Sequence, residues 1–139
     1  MLRPLRTSVL LFLSLALPAF AANSDPIRIG EFASLTGKEA TYGQTAHRGA
    51  VLAVEEANAA GGVLGRKIEL LTEDNQSKPG ESATIVKKFI SRDKVVAVLG
   101  EIVSGRTLEV APICQNARIP LVSPGATAPE VTTKGDYIF

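Results

Sequence analysis

Apolar and polar positions follow two different periods along the chain. Four short apolar runs, at residues 27–32, 67–72, 95–99 and 119–122, have the length of strands, and three of them are rich in β-branched residues. Between the first two runs, Ala46, Ala50, Ala53, Val54 and Ala57 recur at helical spacing within residues 45–60, with Arg48, Glu55 and Glu56 on the opposite side. The stretch Asn58-Ala59-Ala60-Gly61-Gly62 reads as the stop of that helix, because glycine accepts the left-handed backbone that ends one. A second helix is predicted after Pro79, burying Ala83, Val86, Phe89 and Ile90. A third is predicted after Ser104, burying Leu108, Ala111 and Cys114. Pro112 falls inside the third helix and predicts a kink or an early stop. The order β-α-β-α-β-α-β implies an α/β fold, a parallel sheet with right-handed crossovers. Tyr137-Ile138-Phe139 reads as the opening of a fifth strand. The chain therefore reads as a fragment of a longer protein, with an exposed sheet edge and an uncovered apolar face.

The N-terminus departs from this pattern. Arg3 and Arg6 precede an apolar run from Val9 to Leu17, Pro18 breaks it, and Ala19-Phe20-Ala21 follows. Basic, apolar, then small-x-small is the order of a secretory signal peptide, and residues 1–21 are expected to be one. The run is shorter than the roughly 20 residues that span a bilayer. No cysteine follows it to carry a lipid, and no direct membrane anchoring is expected after cleavage. Residues 22–139 are then the exported, periplasmic part.

Composition narrows the function classes. Fifteen Lys and Arg stand against 14 Asp and Glu, and loss of Arg3 and Arg6 would leave 13 against 14. No basic excess supports a nucleic-acid partner. A single cysteine excludes an intrachain disulfide framework and a cysteine-rich zinc site. Neither a G-x-S-x-G elbow nor a Walker loop occurs, nor a G-x-G-x-x-G after the first strand. The acids are scattered, so no metal site, cofactor or catalytic residue is expected. His47 reads as a solvated helix histidine, and Cys114 as a small apolar filler.

An open parallel sheet binds ligands beyond the carboxyl ends of its strands. Four loops occupy those ends, at residues 33–43, 73–77, 100–105 and 123–127, and small hydroxyl and glycine residues dominate the last two. Ser104 sits at a predicted helix start, where its hydroxyl could cap backbone N–H groups and where those groups could face an anion. Gly105 allows close approach, and Thr127 offers a second hydroxyl. Together they suit a small carboxylate better than a reaction centre.

At these loops the sequence resembles the leucine/isoleucine/valine-binding protein family, the periplasmic receptors of branched-chain amino acid ABC importers. The resemblance is carried in order by Ile27-Arg28-Ile29-Gly30, by Leu35-Thr36-Gly37 with Tyr42-Gly43, and by the stretch from Ala57 to Leu70. Asp74-Asn75-Gln76-Ser77-Lys78-Pro79 and the stretch from Val122 to Glu130 complete it. It implies a doubly wound parallel sheet, the incomplete first lobe of a two-lobed type I periplasmic binding protein whose cleft closes on its ligand. It implies that Ser104 holds an amino acid's carboxylate, and that Gly125, Ala126 and Thr127 supply a carbonyl to the ammonium together with a hydroxyl and an N–H. It implies that Tyr42 lines the cleft. The resemblance also implies a monomer that hands its amino acid to a membrane permease. An extracytoplasmic sensing domain of the same fold is the alternative. Relatives of the enteric type pair two cysteines in this lobe; the matching positions here are Gln76 and Val103.

Overall fold

A computed structural model describes residues 25–139; the expected signal peptide, residues 1–21, lies outside them. Alternating strands and helices follow in the predicted order: β1 (Ile27–Ala33), α1 (Ala40–Ala59), β2 (Ile68–Asp74), α2 (Glu81–Lys88), β3 (Ala97–Leu99), α3 (Ser104–Ala117) and β4 (Leu121–Val122). A π-helical turn, Phe89–Asp93, continues α2, and a short 3₁₀ turn, Thr132–Lys134, follows β4. All strand pairs are parallel, in the order β2-β1-β3-β4. The chain steps from β1 outward to β2, then crosses back over β1 to β3 and on to β4. Right-handed crossovers therefore put α1 on one face and α2 with α3 on the other. The direction of winding reverses between β1 and β3, which is where such a sheet opens a crevice for ligands.

The last residues continue the sheet. Leu121 and Ile138 form a parallel bridge, and Phe139 N–H donates to the Leu121 carbonyl at 2.8 Å.

The core lies on the α2/α3 face. Phe32, Val86, Phe89, Val98, Val110, Ala111, Cys114 and Leu121 are buried there. Gly30 makes it possible: a Cβ on Gly30 would stand 2.5 Å from the Phe89 ring, so the bare backbone is what admits the aromatic. The α1 face is thinner. Of the predicted apolar stripe, Ala46, Ala50, Val54 and Ala57 are half-buried and Ala53 is exposed; only Gly43 of α1 is buried. A largely apolar cavity of about 330 Å³ lies between α1 and the ends of β1 and β3. On the same side of the sheet Val122 and Phe139 are 44% and 58% exposed.

Three local expectations change. Helix α1 begins five residues earlier than its apolar period indicates, at Ala40. Helix α3 runs through Pro112 to Ala117 without stopping. Proline removes the bond from position 112 to the carbonyl of residue 108 and crowds that carbonyl, and Pro112 lies on the exposed side of the helix, away from the packed core. His47 is not a solvated helix residue. Its Nδ1 lies 2.6 Å from Oε2 of Glu31, a carboxylate buried in β1 that also accepts from the Thr72 hydroxyl at 2.8 Å. A buried carboxylate requires such partners, and these tie α1 to both β1 and β2.

Candidate ligand-binding site

The loop after β1 is shaped by the segment after β2. Asp74 Oδ1 accepts the N–H groups of Leu35, Thr36 and Gln76 at 2.9, 3.1 and 2.7 Å, and Oδ2 accepts the Thr36 hydroxyl at 2.6 Å. Burial alone would raise the Asp74 pKa; these donors outweigh it and hold the carboxyl below its ordinary value. Asn75 Oδ1 accepts from the Ser34 hydroxyl and from Ser77 N–H, and the Ser77 hydroxyl donates to the Thr36 carbonyl. Gly37 adopts a φ of 83° and a Cβ there would meet the Gln76 carbonyl at 2.6 Å. Asp74-Asn75-Gln76-Ser77 is thus a brace for the neighbouring loop. The Arg106 guanidinium extends it, donating to the Ser77 carbonyl and standing 3.7 Å from Glu39 Oε2.

The loops after β3 and β4 meet directly. Helix α3 has Val103 as its N-cap, so Ser104 is its first residue and makes no capping bond. This corrects the capping role expected for Ser104. One position inside the helix, the Ser104 hydroxyl points across to the other loop and accepts Thr127 N–H at 3.0 Å and Ala128 N–H at 3.1 Å. The Ser123 hydroxyl accepts Ala126 N–H at 2.8 Å and Gly125 N–H at 3.4 Å while donating to the Glu101 carbonyl. Two serine oxygens therefore take up four consecutive amides of the turn.

This accounting fixes the chemistry on offer. A hydroxyl has two lone pairs and one proton. Ser104 Oγ has both lone pairs engaged, so what remains is its O–H, polarised by the two bonds it accepts. The backbone N–H groups of Ser104 and Gly105 precede the first bonds of α3, from Arg106 and Thr107 to the Val103 carbonyl. A Cβ on Gly105 would meet nothing within 4 Å. On the β3 side the site offers donors at the positive end of a helix. The β4 side offers acceptors: the Gly125, Ala126 and Thr127 carbonyls accept no hydrogen bond among the described residues. Gly125 also leaves room for Ile102, whose side chain would lie 2.5 Å from a Cβ there.

Ser104, Gly125, Ala126 and Thr127 are thus brought together. Tyr42 is not brought into hydrogen-bond contact with them; it stands 63% exposed in the first turn of α1, at the loop from β1. Two residues of the candidate loops that were not singled out from the sequence carry the geometry. Glu101 is 1% exposed; its Oε1 accepts Ser34 N–H at 3.0 Å, and its main chain anchors Ser123 and Thr107. Ser123 joins both loops. A lone glutamate and a lone serine in loop segments carry no periodic signal. Among the described residues no group of three or more His, Cys, Asp or Glu side chains is placed to hold a metal.

The sheet is open and parallel, its donors and acceptors gather where the loops after β3 and β4 meet, and its fold is that of a partial lobe of a type I periplasmic binding protein. The chain belongs to the family described as periplasmic binding protein, whose profile matches residues 26–139. It is 34% identical over 128 residues to the leucine-, isoleucine-, valine-, threonine- and alanine-binding protein of Pseudomonas aeruginosa, covering 90% of this chain and 34% of that one. It is 37% identical over 119 residues to the Leu/Ile/Val-binding protein BraC3 of Rhizobium johnstonii, covering 84% and 32%. Among solved structures it superposes, with a TM-score of 0.80 and 39% identity, on the branched-chain amino acid transporter substrate binding protein LivJ of Streptococcus pneumoniae in complex with isoleucine, covering 83% of this chain and 33% of that one. The chain spans about a third of the length of these relatives.

Proposed function

We propose that this chain is the opening part of the first lobe of an exported solute-binding protein, which captures a small amino acid between two lobes and delivers it to an ABC importer. Residues 1–21 would serve as its cleavable signal and residues 22–139 as the lobe segment, in a monomeric periplasmic receptor whose partner is a membrane permease. The observation that carries this reading is the polarity of the site. The Ser104 O–H and the first amides of α3 donate on one side, and the carbonyls of residues 125–127 accept on the other. That pairing matches a zwitterion, carboxylate toward α3 and ammonium toward the β4 turn. The exposed Thr127 hydroxyl and the Tyr42 ring would complete the wall.

A charge-assisted hydrogen bond contributes about 1.5–3 kcal/mol. Three of them give on the order of 6 kcal/mol, and micromolar affinity needs about 8 kcal/mol before ordering costs. One lobe alone would therefore bind weakly, and closure onto the second would supply the remainder. A thermal-stability screen of the receptor with amino acids and small organic acids tests this. Stabilisation by free branched-chain amino acids, absent with their amides and their N-acetyl derivatives, is the expected result. No stabilisation by any α-amino acid would refute the reading.

A further inference from the structure

Ser123 is the last residue before the β4 turn, and its backbone N–H is held by the Phe139 carbonyl at 2.9 Å, so its Cα is fixed by the sheet. Its side chain does two things at once. The hydroxyl proton goes to the Glu101 carbonyl, in the loop that leads into α3. The oxygen then receives the Ala126 and Gly125 amides. Glu101 is itself immobilised from three directions: Ser34 N–H on its carboxylate, the Thr107 hydroxyl on its carbonyl, and burial of the whole residue. The start of the turn is thus pinned to a rigid point shared with the opposite loop. The end of the turn, at Thr127 and Ala128, is where Ser104 must reach.

We infer that Ser123 is a positioning residue of the candidate site: its hydroxyl couples the loop after β3 to the turn after β4 and thereby sets Thr127 against Ser104. This deepens the zwitterion reading and rests on it for the ligand, but not for the coupling. Glu101 offers its main chain to Ser123, so the element that is specific to a side chain is the Ser123 Oγ. Alanine removes it without adding volume. Threonine retains an oxygen at the same atom and should preserve the coupling.

The test combines amide hydrogen exchange of the full chain, read residue by residue by NMR, with the affinity of the two-lobed receptor for L-leucine as probe. Ser123→Ala should raise exchange about tenfold, equal to about 1.4 kcal/mol, at Gly125, Ala126, Thr127 and Ala128 together. Val98 and Leu121 should be unchanged, and Ser123→Thr should stay within about threefold of the parent. Ser104→Ala should release Thr127 and Ala128 only. If Ser123→Ala speeds Gly125 and Ala126 but leaves Thr127 and Ala128 untouched, or if Val98 and Leu121 accelerate equally, the coupling is overturned. In the receptor, Ser123→Ala should weaken L-leucine binding about tenfold and Ser123→Thr less than threefold. Unchanged affinity in Ser123→Ala overturns the positioning role. Failure of the parent receptor to bind L-leucine, with the exchange pattern as described, overturns the ligand reading and upholds the coupling.

Discussion

The Thr127 N–H donates to Ser104 Oγ at 3.0 Å, across 23 residues of sequence and from one strand-end loop to the next. Strands β3 and β4 are adjacent and parallel, so their carboxyl ends, and the loops that leave them, must lie side by side. The contact uses the backbone of Thr127 and leaves its hydroxyl free, while it turns the Ser104 hydroxyl into a donor.

Removing that hydroxyl should also be visible without a ligand. Ser104→Ala strips the Thr127 and Ala128 amides of their acceptor, and each half-exposed bond is worth about 1 kcal/mol. Urea unfolding should show a loss of about 1–2 kcal/mol, with the midpoint lowered and the slope unchanged.

Asp74 makes acid stability predictable. Burial opposes its ionisation, but the Thr36 hydroxyl and the amides of Gln76, Thr36 and Leu35 favour it more, so the folded-state pKa lies below 3.8. A depressed carboxyl contributes stability that is fully present above its unfolded pKa and is lost as pH falls through the folded one. The parent should therefore lose its advantage over Asp74→Asn below about pH 4, and the two should converge toward pH 2. Denaturant midpoints measured from pH 2 to pH 7 check this; a gap that stays constant across the range would contradict it.

Cys114 is sealed in the core beneath α3, and burial pushes its thiol up to about 12. Only the thiolate reacts. At pH 8 the native chain should react with a disulfide reagent more than an order of magnitude more slowly than the urea-unfolded chain, with the same single equivalent at the end.

Two glycines of α1 should respond in opposite ways. A Cβ on Gly43 would stand 2.1 Å from the Ser34 carbonyl, so Gly43→Ala must push the first turn of the helix, with Tyr42, off the end of β1. A loss of about 1–3 kcal/mol is expected. Gly49 has nothing within 4 Å of that position. Gly49→Ala should therefore stabilise by up to about 1 kcal/mol through helix propensity. Thermal unfolding of the two variants measures both.

What the sequence reveals of this structure follows from range. The apolar runs place the strands within two residues because a strand must bury its side chains wherever it sits, and Gly61-Gly62 ends α1 because only glycine relieves that backbone. The early start of α1 is not legible: residues 40–44 have no apolar period, and the helix there is held by Gly43 packing on Ser34. The Glu31–His47 pair is not legible either, since neither residue shows a partner until β1, β2 and α1 are assembled. At the site, Ser104 and Thr127 are legible from strand-end position. The direction of the Ser104 hydroxyl is not, because a shift of one residue in the helix start turns a cap into a bridge between loops. Glu101 meets Ser123 through its main-chain carbonyl, and the Ser123 hydroxyl bonds only backbone groups, so neither partner is marked by a side-chain motif.

Calorimetric titration of L-leucine into the two-lobed receptor, compared with its Ser104→Ala and Thr127→Ala variants, tests the central claim most directly. Each substitution should weaken binding tenfold or more, about 1.4 kcal/mol. Parent-like affinity in both variants would mean that the ligand is held elsewhere.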